Sequence, residues 1–154
     1  MESERRRVAN ELRSLGAAES EKIRADVRSI KQASRNANDG ISLIQTAEGA
    51  MNEMQGIVSR MRELAVQAGS DTVGDKERAY IQKEISSLTS EMDRIANTTR
   101  FGSTDLLNGT GQTFDFQVGI NNNATLDRIS YDAGEANATI SSMGLDGLDY
   151  STKE

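Results

Sequence analysis

The chain has 154 residues, a net charge of −6, 36% hydrophobic residues and only 4% aromatic residues. The acidic balance gives little electrostatic support to nucleic-acid binding. The sequence contains no Cys and no His, which excludes disulfides, thiolate metal ligands and the commonest general base. We therefore expect no enzymatic activity and no cofactor or metal. Since no apolar run approaches the roughly 20 residues that cross a bilayer, we also expect no membrane insertion.

The first segment, residues 1–15, is predicted to be a charged helix with a basic cluster at Arg5, Arg6 and Arg7. Such a cluster serves either an anionic partner or, more commonly, a solvated helix face. Gly16 follows without neighbouring turn residues, so we expect the helix to continue through it.

A long helix is predicted at about residues 18–69, which contain no proline. At that length it would extend roughly 75 Å, so it needs partners along its length, from this chain or another. Gly40 and Gly49 weaken it, and we expect them where a neighbouring helix approaches closely. Apolar residues recur every three or four positions, the period of one helix face. They are Ile23, Val27, Ile30, Ala33, Ala37, Ile41, Ile44, Ala47, Met51, Met54, Val58, Met61 and Ala65.

A second helix is predicted at about residues 75–97, after a loop between Gly69 and Gly74. Its apolar residues step by four and three positions in strict alternation, and the short loop predicts antiparallel packing on the first helix. They are Ile81, Ile85, Leu88, Met92 and Ile95.

The remaining chain predicts strands rather than helices. Residues 100–111 lack a pattern, although Phe101, Leu106 and Leu107 are expected to pack against the helices. Residues 113–120 alternate apolar and polar side chains, and an asparagine-rich turn at 121–123 precedes a returning strand at 126–131. The predicted fold is mainly α: an elongated antiparallel helical rod followed by a β-hairpin at about 113–131.

Several segments resemble bacterial flagellin. Gln32 to Ser42 and Gln45 to Glu53 resemble its signature, and Arg62 to Gln67 resembles the block that follows. Further matching blocks occur in the same order at residues 84–95, 99–102, 106–109 and 116–119. The resemblance covers residues 16–154 and implies the amino-terminal part of flagellin's inner-tube domain.

The resemblance also implies a function and a location. The parent protein would be a structural subunit of the flagellar filament, packed against other flagellin subunits outside the cell and exported without a cleaved signal peptide. Residues 1–15 do not resemble the family, and Ala17 and Glu19 are more polar than expected there. We therefore expect a division into a non-native-looking helix, 1–15, and a flagellin fragment, 16–154, that is truncated and engineered at its start.

Flagellins are also recognised by Toll-like receptor 5, through the face formed by these two helices. The matching positions are Arg60, Leu64 and Glu84, of which the first two lie four residues apart and share a helix face. Spacing alone favours an ordinary surface ion pair between Arg60 and Glu84 and a core position for Leu64. The resemblance instead favours binding of these residues by the receptor. The expected rim residues are Ser59, Glu63, Gln67 and Ile81.

Three alternatives stay open. A hook–filament junction protein shares the helical architecture, although the intact block at residues 32–42 favours flagellin. An engineered scaffold or immunogen derived from flagellin would lack receptor binding. A helical signalling hairpin would predict sustained heptads on both arms and no strands.

Overall fold

The computed structural model describes residues 1–121 and 123–151. Residue 122 of the predicted turn and residues 152–154 of the predicted fragment lie outside the described residues. The elements in chain order are α1 (Glu2–Ala68), α2 (Asp75–Thr98), β1 (Arg100–Phe101), β2 (Thr104–Asp105), β3 (Thr113–Gln117) and β4 (Arg128–Asp132).

Helix α1 is continuous over 67 residues. The expected continuation through Gly16 is confirmed, so the helix begins at Glu2 rather than near residue 18. A single glycine destabilises a helix by only about 1 kcal/mol. Because no turn residues flank Gly16, this cost is not enough to end the helix there. Helix α2 ends at Thr98, one residue beyond its predicted end.

One compact unit combines Met1–Gly40 with Asp115–Ile129. The hairpin side of this unit packs against α1, where the Asn36 side-chain amide donates to the Gln117 carbonyl oxygen at 2.9 Å. The Phe116 ring lies so close to Gly40 that an added Cβ would come within 3.3 Å of it. The close approach predicted at Gly40 therefore exists, but an aromatic ring makes it rather than a helix.

The predicted β-hairpin is confirmed, since β3 pairs with β4. Strand β3 ends at Gln117 instead of residue 120, because the chain turns there. The backbone N–H groups of Val118 and Gly119 both donate to the Asp127 carbonyl oxygen, at 2.7 and 3.1 Å. The Asp127 side chain closes the turn by accepting the N–H groups of Asn121 and Asn123, at 3.0 and 2.8 Å.

The other unit comprises Ile41–Phe114 and the chain from Ser130 onward. The predicted seam of α2 is confirmed, because Ile81, Ile85, Met92 and Ile95 are buried and Leu88 is half-buried. On the α1 side of this unit, the buried residues are Leu43, Ala47, Met54, Met61, Leu64 and Ala68. Of these, Met61, Leu64 and Ala68 form one cluster with Ile81 and Ile85 of α2. Gly49 has no atom within 4 Å of an added Cβ, so the close approach predicted there is wrong.

The predicted stripe of α1 marks the helix correctly but does not form one buried face. Ala33, Ala47, Met54 and Met61 are buried, whereas Leu43, Leu64 and Ala68 complete the buried set from outside the stripe. The helix therefore carries two apolar faces, and contacts within the chain cover one of them. The stripe residues that stay exposed are Ile23, Val27, Ile30, Ile41, Ile44, Met51 and Val58.

A small antiparallel pair, β1 with β2, follows α2 where no element was predicted. Arg100 pairs with Asp105, and its Nε also donates to that carboxylate. Two-residue strands are too short to produce a sequence period, so the pattern could not reveal them. Leu106 and Leu107 are fully buried as expected, and Phe101 is half-buried.

Candidate recognition surface

Arg60 on α1 and Glu84 on α2 meet across the two helices. The guanidinium donates from Nε at 3.0 Å and from Nη2 at 2.8 Å, and one oxygen, Oε1 of Glu84, accepts both bonds. About half of each side chain stays accessible, 49% for Arg60 and 45% for Glu84. The antiparallel packing thus brings together two of the three residues singled out in the sequence, on a surface that a partner can reach.

Glu63 binds the same guanidinium from within α1. Arg60 Nη1 donates to Glu63 Oε2 at 3.1 Å. The hydrogen bond to Glu84, followed by the one to Glu63, raises the pKa of Arg60 above its ordinary value, so this side chain stays charged. A guanidinium has five N–H donors, so two N–H groups remain for a partner's carboxylate or carbonyl oxygens.

Leu64 and Ile81 do not belong to this exposed surface. Leu64 is 1% exposed and Ile81 is 6% exposed, and both lie in one apolar cluster between α1 and α2. The structure therefore places the expected apolar anchor and one rim residue beneath the surface rather than on it. The cluster consists of Met61, Leu64, Ala68, Ile81 and Ile85.

The remaining rim positions are accessible. Ser59 and Gln67 are exposed on α1. The Ser59 hydroxyl donates to the Gln55 carbonyl oxygen at 2.9 Å. The Ser59 oxygen can therefore accept a hydrogen bond from a partner. We call Arg60, Glu84, Glu63, Ser59 and Gln67 the recognition surface.

Within residues 1–121 and 123–151, no group of three or more acidic side chains is arranged to hold a metal ion. No helix in the described chain is both long and apolar enough to span a bilayer. The recognition surface presents a guanidinium, two carboxylates and small polar side chains, all of which can form hydrogen bonds.

Sequence reasoning missed Gln82, which lies two residues before Glu84. Its side-chain Nε2 donates to the Leu148 carbonyl oxygen at 3.0 Å, and its Oε1 accepts the Tyr150 N–H at 2.7 Å. Gln82 thereby fixes a distant segment against α2. No local pattern marks such a contact, because its partners lie 66 and 68 residues away.

The family model of the bacterial flagellin N-terminal helical region matches residues 7–112 of this chain. A flagellin from Halalkalibacterium halodurans is 50% identical over 106 residues, which cover 69% of this chain and 39% of that protein. Polar flagellin A from Vibrio parahaemolyticus is 42% identical over 135 residues, or 88% of this chain and 35% of that protein. The chain thus spans well under half the length of either relative.

A solved structure agrees with these matches. The crystal structure of Bacillus cereus flagellin superposes with a TM-score of 0.66 at 28% sequence identity. The superposition covers 77% of this chain and 66% of that structure.

Proposed function

The chain belongs to the bacterial flagellin family, and we propose that it corresponds to part of a structural subunit of the extracellular flagellar filament. Relatives named flagellin at 42% to 50% identity support this role. The exposed apolar face of α1 supports it too, because apolar side chains on a long helix are suited to packing against neighbouring subunits. Its partners would then be other flagellin subunits.

Co-polymerisation tests the structural role. Labelled chain would be mixed with monomeric flagellin of a related bacterium and seeded with short filaments. We expect the label to sediment with the filaments, and an Ile44→Asp variant, charged on the exposed apolar face, to sediment less. Equal sedimentation with and without seeds, or no effect of that substitution, would count against this role.

We further propose that the recognition surface is bound by Toll-like receptor 5. The observation that carries this proposal is the exposed ion pair between Arg60 and Glu84, which joins α1 to α2 and leaves donors and acceptors facing outward. Arg in a partly desolvated, hydrogen-bonded setting is a frequent hot-spot residue. Leu64 contributes from beneath, because its cluster holds the two helices at the separation that this pair needs.

The binding test compares Arg60→Ala with a matched control, Arg94→Ala. Arg94 also forms an exposed ion pair within α2, to Glu91 at 2.6 Å, so it controls for loss of a surface charge. Against the soluble receptor ectodomain, we expect Arg60→Ala to weaken binding about tenfold or more and Arg94→Ala to have little effect. Equal losses for both variants would indicate general electrostatics. No binding by the folded parent chain would favour the alternative of a flagellin-derived scaffold that the receptor does not bind.

A further inference from the structure

Tyr80 differs from the other aromatic side chains in its exposure to solvent. The chain has three Phe, three Tyr and no Trp. Tyr80 is 69% exposed, whereas the other five aromatic side chains are half-buried. Every other large apolar residue of α2 belongs to the seam from Ile81 to Ile95. The Tyr80 ring is therefore an apolar group that the helix presents to solvent rather than to the core.

Tyr80 lies one helical turn before Glu84. Four residues advance an α-helix by about 400°, so the two side chains share a face and lie about 40° apart around the helix axis. Ile81 and Ile85 of the seam lie about 60° and 100° from Glu84 in the opposite direction. Tyr80 is therefore on the solvent side of Glu84, away from the core.

The position along the rod also places Tyr80 beside the recognition surface. The step from Glu84 to Tyr80 runs along α2 toward the loop that joins the helices. The step from Arg60 to Gln67 runs along α1 toward the same loop. Since Arg60 and Glu84 are in contact, Tyr80 extends the recognition surface on its α2 side, as Gln67 does on its α1 side.

Lys83 holds the ring of Tyr80 on this surface. Its Nζ lies over the ring, 5.8 Å from the ring centroid, which is within the range of a cation–π contact. A tyrosine side chain has only two rotatable χ angles, and this contact restricts them further. The ring is thus partly ordered before a partner arrives, which lowers the entropy lost on binding.

The recognition surface needs such an apolar group. Its charged pair is exposed, and exposed ion pairs contribute little free energy. Leu64 and Ile81, the apolar residues expected there, are 1% and 6% exposed and cannot enter a partner. Binding energy at interfaces concentrates on Tyr, Trp and Arg side chains that fill pockets of the partner.

We propose that Tyr80 is the aromatic anchor of the recognition surface, and that its ring enters an apolar pocket of the receptor beside the groups that bind Arg60. This inference rests on the proposed receptor function and deepens it, because it names the chemistry that the receptor must offer. That chemistry is an apolar pocket for the ring and, about one helical turn away, a carboxylate or carbonyl oxygen for the free N–H groups of Arg60.

Binding to the soluble ectodomain of Toll-like receptor 5 tests the anchor with three variants. Tyr80→Ala removes the ring, and Tyr80→Phe keeps it without the hydroxyl. Val66→Ala is the control, because Val66 is 73% exposed but lies about 120° around α1 from Arg60. We expect Tyr80→Ala to weaken binding about tenfold or more, and the other two to stay within about threefold of the parent chain. Circular dichroism confirms that each variant is folded.

Tyrosine nitration by tetranitromethane, followed by peptide mass spectrometry, locates the contact directly. The half-buried Tyr131 and Tyr150 serve as internal controls. We expect a saturating amount of receptor to slow nitration of Tyr80 about fivefold or more and to leave the two controls near their free rates. An unchanged rate at Tyr80 in the saturated complex overturns the proposal.

The outcomes separate the anchor from the function beneath it. Weaker binding by Arg60→Ala with unchanged binding by Tyr80→Ala overturns the anchor and leaves the receptor function intact. Equal losses in Tyr80→Ala and Val66→Ala also overturn it, and so does a loss in Tyr80→Phe as large as that in Tyr80→Ala, because the pocket is then not apolar. No binding by the folded parent chain overturns the receptor function, and the anchor with it.

Discussion

Arg60 and Leu64 lie one helical turn apart on α1 but at different depths. The Arg60 side chain is 49% exposed and paired with Glu84, whereas Leu64 is 1% exposed within the cluster between the helices. One helix face therefore contributes both a surface charge and a core contact. Substitutions at the two positions should have separable effects, and a double variant would confuse them.

Leu64→Ala should lower the free energy of unfolding by about 2–5 kcal/mol, because it removes a buried side chain and leaves a cavity. Arg60→Ala should leave stability nearly unchanged, since its ion pairs are exposed and screened. Urea unfolding followed by helical circular dichroism measures both. A Leu64→Ala variant as stable as the parent chain would show that the cluster is not packed as described.

Two glycines of α1 form a matched pair. Gly49→Ala should raise the free energy of unfolding by about 0.5–1 kcal/mol, because a Cβ there meets nothing within 4 Å and alanine favours the helix. Gly40→Ala should raise the free energy of unfolding less than Gly49→Ala does, or lower it, since the new Cβ would come within 3.3 Å of the Phe116 ring. The same denaturation experiment ranks the variants, and equal gains would mean that Phe116 shifts freely.

The hairpin turn depends on Asp127, whose side-chain oxygen accepts two backbone N–H groups and which is 7% exposed. Asp127→Ala should destabilise the turn by about 1–3 kcal/mol, because the N–H groups of Asn121 and Asn123 lose their acceptor. Hydrogen exchange at those two amides measures the loss. Asp132→Ala is the control, since it removes a single exposed bond to the Gly134 N–H. Similar acceleration in both variants would argue against a special role for Asp127.

Acid should weaken the link between β1 and β2. The hydrogen bond from Asn108, followed by that from Arg100, holds the pKa of Asp105 below its ordinary value of 3.8. Because the pKa of Asp105 is lower in the folded state, the ionised carboxylate stabilises the fold. This stabilisation is present in full above the ordinary pKa and is lost as the pH falls through the lowered pKa. Asp105→Asn should therefore be less stable than the parent chain at pH 7, with the gap closing below about pH 4. A difference in stability that is as large at low pH as at pH 7 would contradict this assignment.

The sequence by itself determined both helices and the β-hairpin, but not the short pair β1 and β2. Apolar residues every three or four positions predicted both helices, and the four–three steps of α2 matched its buried seam from Ile81 to Ile95. The absence of turn residues at Gly16 predicted one continuous α1, and alternation with an asparagine-rich turn predicted the hairpin. These features are local, because the period of side chains along a backbone fixes which residues share a face.

The tertiary structure alone decided which faces are covered. Helix α1 has two apolar faces, and only packing showed that Leu43 and Leu64 are buried while Ile41 and Ile44 stay exposed. Only packing placed Glu84 against Arg60, and the backbone of Leu148 and Tyr150 against Gln82. The period of the side chains shows that a helix face is apolar. Whether that face is buried depends on which distant segment of the chain packs against it.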